Sequence, residues 1–228
     1  SGINEITFTP SGEDIFLDYR GDTIDQIWIN GEELSQETIE SENLRQEGKF
    51  FFPVGSFKQG EQNTLLLRFT NRYYTDGDGL HTYTDNENKQ YLYTQTEPYE
   101  ANRILPLFDQ PDLKARFEIF AAAPYGWKII TSEQESENST FGEFLEKELG
   151  PDDEATPFLT KLKELFSETA PKDKGYFRLK NTFPLSTYLN NIIAGPYARF
   201  DCEVDKLYRG IPMSIYCRQN LAEYVEAQ

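Results

Sequence analysis

Two side chains at the end of a strand-like segment are placed to do chemistry together. Gln90-Tyr91-Leu92-Tyr93 reads as a β-strand and runs on into Thr94-Gln95-Thr96-Glu97. Side chains alternate along a strand, so Gln95 and Glu97 point the same way if the strand continues. Pro98 follows at once and has no backbone N–H to offer a ladder. The spacing therefore predicts a strand tip that presents one amide and one carboxylate side by side. A polar strand end with solvated side chains is the plain alternative.

The residues that follow carry more information than spacing alone. Arg103, Pro106, Asp109 and Pro111 punctuate a connection that leads to Ala115-Arg116-Phe117. Gly79-Leu80-His81 precedes the strand, and Pro184-Leu185-Ser186-Thr187-Tyr188-Leu189 with Ala194-Gly195 comes later. This ordered set resembles the N-terminal domain of the aminopeptidase N family of zinc metallopeptidases. There, Thr-Gln-x-Glu is followed by Arg-x-x-x-Pro-x-x-Asp-x-Pro and a new strand. Pro106 stands one place closer to Arg103 than that spacing suggests. The resemblance runs from about Ile3 to Tyr216, with one insertion.

What the resemblance implies is specific. The full-length protein would remove single amino acids from peptide N-termini, with zinc polarising the scissile carbonyl and activating a water. The Glu of Thr-Gln-x-Glu binds the free α-ammonium of the substrate, and the Gln lies beside it near the first side chain. Glu97 and Gln95 occupy those positions. Arg103 and Asp109 are expected to be structural, fixing the shape of the proline-punctuated connection. The zinc motif His-Glu-x-x-His does not occur, and the chain holds one histidine, His81. No cofactor is therefore expected on this chain, and zinc is expected in a catalytic domain lying beyond it. The expected partners are that catalytic domain and peptide N-termini. The alternatives are a non-catalytic relative acting as a protein-interaction scaffold, and a free-standing β-sandwich module for sugars or protein using Tyr73, Tyr74 and Tyr83.

Many short β-rich segments frame this site. Examples are 3–8, 15–19, 27–29 with a hairpin signal at Asn30-Gly31, 50–52, 64–69, 115–121, 127–130, 175–179 and 191–195. The expected fold is mainly β, with curved or stacked antiparallel sheets, a saddle-like β-sandwich. Residues 132–174 break the pattern. Phe141, Phe144, Leu145 and Leu149 fall at helical spacing, as do Phe158, Leu159, Leu162, Leu165 and Phe166. Gly150-Pro151 ends the first run, and Thr156 caps the second with Pro157 at its first position. A helical hairpin decorating the sheet is expected, with partner docking or substrate gating as the sharper option. The domain is expected to span 1–219, with 220–228 starting a helical linker, Asn220 serving as its cap.

Composition excludes several classes. The chain has 228 residues and a net charge of −17, from 39 acidic and 22 basic side chains. Such a surface repels phosphate backbones and anionic membranes. No nucleic acid and no membrane are expected as partners. The compartment stays open, with the cytoplasm favoured.

Two lesser motifs complete the reading. Cys202 and Cys217 flank a hairpin expected to turn at Arg209-Gly210, which would place them opposite one another. A disulfide is then geometrically open, and two buried free thiols are the preferred alternative. Asp76-Gly77-Asp78 faintly resembles a calcium loop, but Leu80 and His81 do not fit, and a Gly-rich turn is expected.

Overall fold

The alternation of apolar residues organises the chain into short antiparallel sheets around hydrophobic cores, one within each half and one under a helical hairpin. The computed structural model describes residues 1–12, 14–41, 44–132, 139–148, 156–169, 174–179, 182–202 and 213–225. The first sheet has the order β1 (Gly2–Phe8), β7 (Asn63–Thr70), β3 (Thr23–Ile29), β4 (Glu32–Glu33). Asn30 and Gly31 both take positive φ, 51° and 86°, closing the two-residue turn between β3 and β4 that the Asn-Gly pair predicts. A smaller sheet, β2 (Phe16–Asp18), β6 (Lys49–Phe51), β5 (Arg45–Gln46), faces it. Leu17, Ile27, Phe50, Leu65 and Leu67 meet between them, each no more than 1 % exposed.

The second half repeats the scheme. Its sheet has the order β11 (Lys128–Ile130), β13 (Ile193–Gly195), β9 (Gln90–Gln95), β8 (Gly79–Thr84). A two-stranded ribbon, β10 (Ile119–Pro124) and β12 (Lys174–Leu179), packs against it. Phe177 and Leu179 of β12 join Leu92, Ile129 and Ala194 in this core. Tyr176, one residue out of phase, points to the other side of the ribbon. There it meets Phe144, Leu162 and Phe166 of the helical hairpin.

That hairpin is present as expected, in α2 (Phe141–Glu148) and α3 (Pro157–Thr169). Thr140 and Glu143 form a reciprocal capping box, and the Thr156 hydroxyl accepts from Leu159 N at 3.2 Å. The connecting Gly150-Pro151 lies outside the described residues. Helix α3 reaches across to the first sheet, where Lys161 sits 5.2 Å from the Trp28 ring and Arg68 pairs with Glu168. The insertion therefore lies on both halves of the sheet framework as a packed decoration. A short helix α1 (Gln36–Ile39), capped by Ser35, tucks Ile39 under the first sheet.

Two expectations need correction. Strands β14 (Tyr197–Asp201) and β15 (Ser214–Arg218) pair with Cys217 opposite Ala198, and Cys202 N donates to Met213 O at 3.0 Å. The two cysteines are thus four residues out of register, roughly 13 Å along a strand. That exceeds any disulfide span, and both thiols are free and half-buried. The register with Ala198 opposite Cys217 and Asp201 opposite Ser214 is not the one that a two-residue turn centred on Arg209-Gly210 would set. The expected turn at Arg209-Gly210 lies outside the described residues. The even offset keeps Phe200 and Ile215 on one face, as alternation requires. The second correction concerns the C-terminal segment: Gln219–Tyr224 is a 3-10 helix that follows Arg218, so Asn220 lies inside it and caps no α-helix. No helix among the described residues is long and apolar enough to cross a membrane.

Candidate functional site

Strand β9 carries the site because its two faces have different fates. Leu92, Thr94 and Thr96 turn inward and are buried. Tyr93, Gln95 and Glu97 turn outward and are exposed. Gln95 lies opposite Gly79 of β8, which has no side chain to crowd it. Hydrogen bonds on its β13 side help fix the strand: Thr94 N donates to Ile192 O at 3.0 Å, and Ile192 N donates to Thr94 Oγ1 at 2.9 Å. Pro98 ends the ladder, and the Glu97–Pro98 peptide is cis. Gln95 and Glu97 are thus both exposed, on either side of the buried Thr96. Neither side chain makes a hydrogen bond or ion pair among the described residues.

The loop behind Glu97 is held by a buried polar network. Thr96 Oγ1 donates to Tyr188 O at 2.7 Å, and Glu100 N donates to Thr96 O at 2.9 Å. The Tyr99 hydroxyl donates to Asp18 Oδ1 at 2.5 Å. Asp18 Oδ2 accepts from Asp109 N at 3.1 Å. The Asp109 carboxylate accepts from Asn102 N (3.0 Å), Asn102 Nδ2 (2.7 Å) and Thr187 Oγ1 (2.6 Å). Arg20 closes the ring, donating from Nε to Asn102 Oδ1 at 2.6 Å and from Nη2 to Tyr99 O at 2.6 Å. Asp18 and Asp109 are each 2 % exposed, and Asn102 is fully buried. Polar groups taken out of water need such hydrogen-bond partners to offset their lost hydration.

Arg103 and Asp109 have the structural roles expected of them. The Arg103 guanidinium bonds Asp76 at 2.6 Å and lies 3.5 Å from both Asp78 and Glu100, with its plane 4.0 Å from the Tyr74 ring centre. The Asp76 carboxyl is held below its usual range, chiefly by the hydrogen bond from Arg103. The calcium-like run is therefore a turn whose two acids face a guanidinium. Its glycines, Gly77 and Gly79, both take positive φ. His81 Nδ1 accepts from Gly77 N at 3.0 Å, and its ring packs 4.8 Å from that of Tyr93. No group of three metal-ligating side chains occurs among the described residues. With one histidine in the chain, a His-Glu-x-x-His zinc site does not fit on this chain, and no step through zinc is assigned to its residues.

A cavity of about 300 Å³ opens beside the network, lined by Tyr19, Arg20, Arg45, Lys49 and Phe50 among others. Neither Gln95 nor Glu97 lines it, so it does not coincide with the strand tip. Sequence reasoning missed Asp18, Tyr99, Asn102 and Thr187. Tyr99 and Asn102 lie inside the signature run, and Asp18 was visible as an acid ending an apolar strand. Their partnership depends on chain segments about 80 residues apart, such as Asp18 and Tyr99.

Known proteins resemble this arrangement in sequence. The chain is 29% identical over 217 residues to an aminopeptidase N of Streptomyces lividans, covering 95% of this chain and 20% of that protein. It is 37% identical over 95 residues to the mitochondrial aminopeptidase 2 of Saccharomyces cerevisiae, covering 39% of this chain and 10% of that one. An aminopeptidase N of Acetobacter pasteurianus is 23% identical over 193 residues, with 83% of this chain and 44% of that protein covered. The chain thus spans about a fifth of the length of the Streptomyces relative. The family model of the peptidase M1 N-terminal domain matches residues 1–147, which include β9, Gln95, Glu97 and most of the network, and the chain belongs to that family.

Proposed function

We propose that this chain is the substrate-anchoring N-terminal domain of a zinc-dependent aminopeptidase, inactive on its own. The zinc and the water-activating machinery belong to a catalytic domain that this chain does not contain. Glu97 takes the α-ammonium of a peptide through charge-assisted hydrogen bonds, and Gln95 contacts the first residue beside it. An internal peptide residue has no ammonium group, so this contact selects chain ends. One observation carries the reading. Glu97 is exposed and without a partner among the described residues, on a loop whose neighbours on both sides are fixed by buried hydrogen bonds. A surface carboxylate with a merely solvating role has no need of such support.

The test is Glu97→Ala in the intact peptidase, assayed on substrates with a free and with an acetylated N-terminus. Loss of a desolvated ammonium pair is expected to cost about 2–4 kcal/mol in kcat/KM on the free-amine substrate. Glu97→Gln keeps the hydrogen-bonding oxygen without the charge and is expected to fall between. A rate near that of the unmodified enzyme removes the anchoring role.

A further inference from the structure

We propose that Asp18 is a positioning residue for Glu97, acting through the phenol of Tyr99. This rests on the ammonium-anchoring reading and deepens it. Glu97 leaves the ladder at Thr96 and is followed by a proline, so no strand neighbour holds its backbone. What holds it instead are the residues one before and two after. Thr96 is 2 % exposed and tied to Tyr188. Tyr99 is held at both ends of its structure: its carbonyl accepts from Arg20 Nη2 and Asn102 Nδ2, and its hydroxyl donates to Asp18. Tyr99 as a residue is 39% exposed, so packing alone does not lock it. The phenol bond to a buried carboxylate does.

Asp18 is in turn fixed from several directions. Its backbone exchanges hydrogen bonds with Leu107, at 2.9 and 3.2 Å, and its second oxygen accepts from Asp109 N. Strand β2 thereby sets the height of the Tyr99 ring, and the ring sets the loop. Burial and the Asp18 contact both push the Tyr99 hydroxyl above its ordinary pKa, so it stays a donor wherever a peptidase works. A misplacement of Glu97 by an ångström would matter, since small errors in a positioned group cost up to about a hundredfold in rate.

The experiment is a double-mutant cycle in the intact peptidase, with Tyr99→Phe, Glu97→Ala and both, on an amino-acid anilide substrate. Tyr99→Phe removes one oxygen, keeps the ring over Arg20, and leaves the Asp18–Asp109 contact in place. It is expected to lower kcat/KM about tenfold, mainly through KM, while costing less than about twofold when Glu97 is already Ala. Asp18→Asn, which keeps an oxygen acceptor, is expected to stay within about threefold of the parent, while Asp18→Ala matches or exceeds Tyr99→Phe. Thermal melting follows stability separately and is expected to shift equally in both Glu97 backgrounds. Effects that multiply in the double variant overturn the proposal, as does a neutral Tyr99→Phe beside a damaging Glu97→Ala. A neutral Glu97→Ala removes the anchoring reading itself, and the positioning role with it.

Discussion

The loop after β9 and the helical hairpin of α2 and α3 are held by opposite means. The loop rests on directional bonds: Asp18, Asn102, Asp109 and Thr187 are all buried and all bonded to one another or to their neighbours. The hairpin rests on rings. Phe144 lies 5.7 Å from Phe166 and 5.6 Å from Tyr176, and the Tyr176 hydroxyl has no hydrogen-bond partner among the described residues. Apolar contact is non-directional and tolerates small shifts, whereas a buried carboxylate fixes each donor in angle as well as distance. The difference teaches where this fold demands accuracy. It spends polar groups where a side chain must be aimed, and aromatic bulk where surface only needs covering.

The comparison breaks if damage to the hairpin disturbs the site. Phe144 is fully buried, and Phe144→Ala is expected to cost about 3–5 kcal/mol of stability through lost transfer energy and an unfilled cavity. In the intact protein, kcat/KM for free-amine substrates is expected to remain unchanged at temperatures well below the lowered melting point. Denaturant unfolding together with steady-state kinetics checks both halves of this statement. A fall in kcat/KM without unfolding would give the insertion a part in catalysis.

The opposite result is expected from the polar network. Asp109→Ala leaves Asn102 N, Asn102 Nδ2 and Thr187 Oγ1 without their acceptor in a dry interior. Each stranded donor carries its own desolvation cost, and with partial relaxation the total is expected near 2–4 kcal/mol. Here stability and free-amine activity should fall together, because Asn102 also holds Tyr99 and thus the Glu97 loop. Activity that survives while stability drops would sever the site from its support.

The two regions also differ in how far they could be read from the residues alone. The hairpin was legible because helical spacing and the Thr156-Pro157 start are local signals, and both helices lie where those signals put them. The strand that leads to Pro98 was legible for the same reason: period two acts over a few residues, and β9 runs from Gln90 to Gln95. What supports the tip was not legible. Asp18 and Thr187 meet Tyr99 and Asp109 from distant parts of the chain, and no local pattern encodes such a meeting. The cysteines failed similarly. Their faces followed from alternation, but their register, with Ala198 opposite Cys217, is not the one that a turn centred on Arg209-Gly210 would give.

The smallest expected effect tests the Arg68–Glu168 ion pair between the hairpin and the first sheet. Glu168 bonds Arg68, which holds the Glu168 carboxyl below its ordinary value of 4.5, first by the hydrogen bond and then by charge. Arg68 stays protonated throughout, so only the carboxyl titrates. A lowered folded pKa means that the unfolded chain binds the proton first as pH drops. The contribution is therefore complete above about pH 5 and fades as pH falls through the lowered value. Glu168 is solvent-exposed, so the contribution is small and screened by salt. Melting temperatures of the parent and of Glu168→Gln are expected to differ slightly at pH 7 and low salt, and to converge on acidification or at high salt. If they differ strongly at pH 7 and the difference disappears on acidification and at high salt, the hairpin is held by charge after all, and the division between aimed polar groups and covering apolar ones fails at its own boundary.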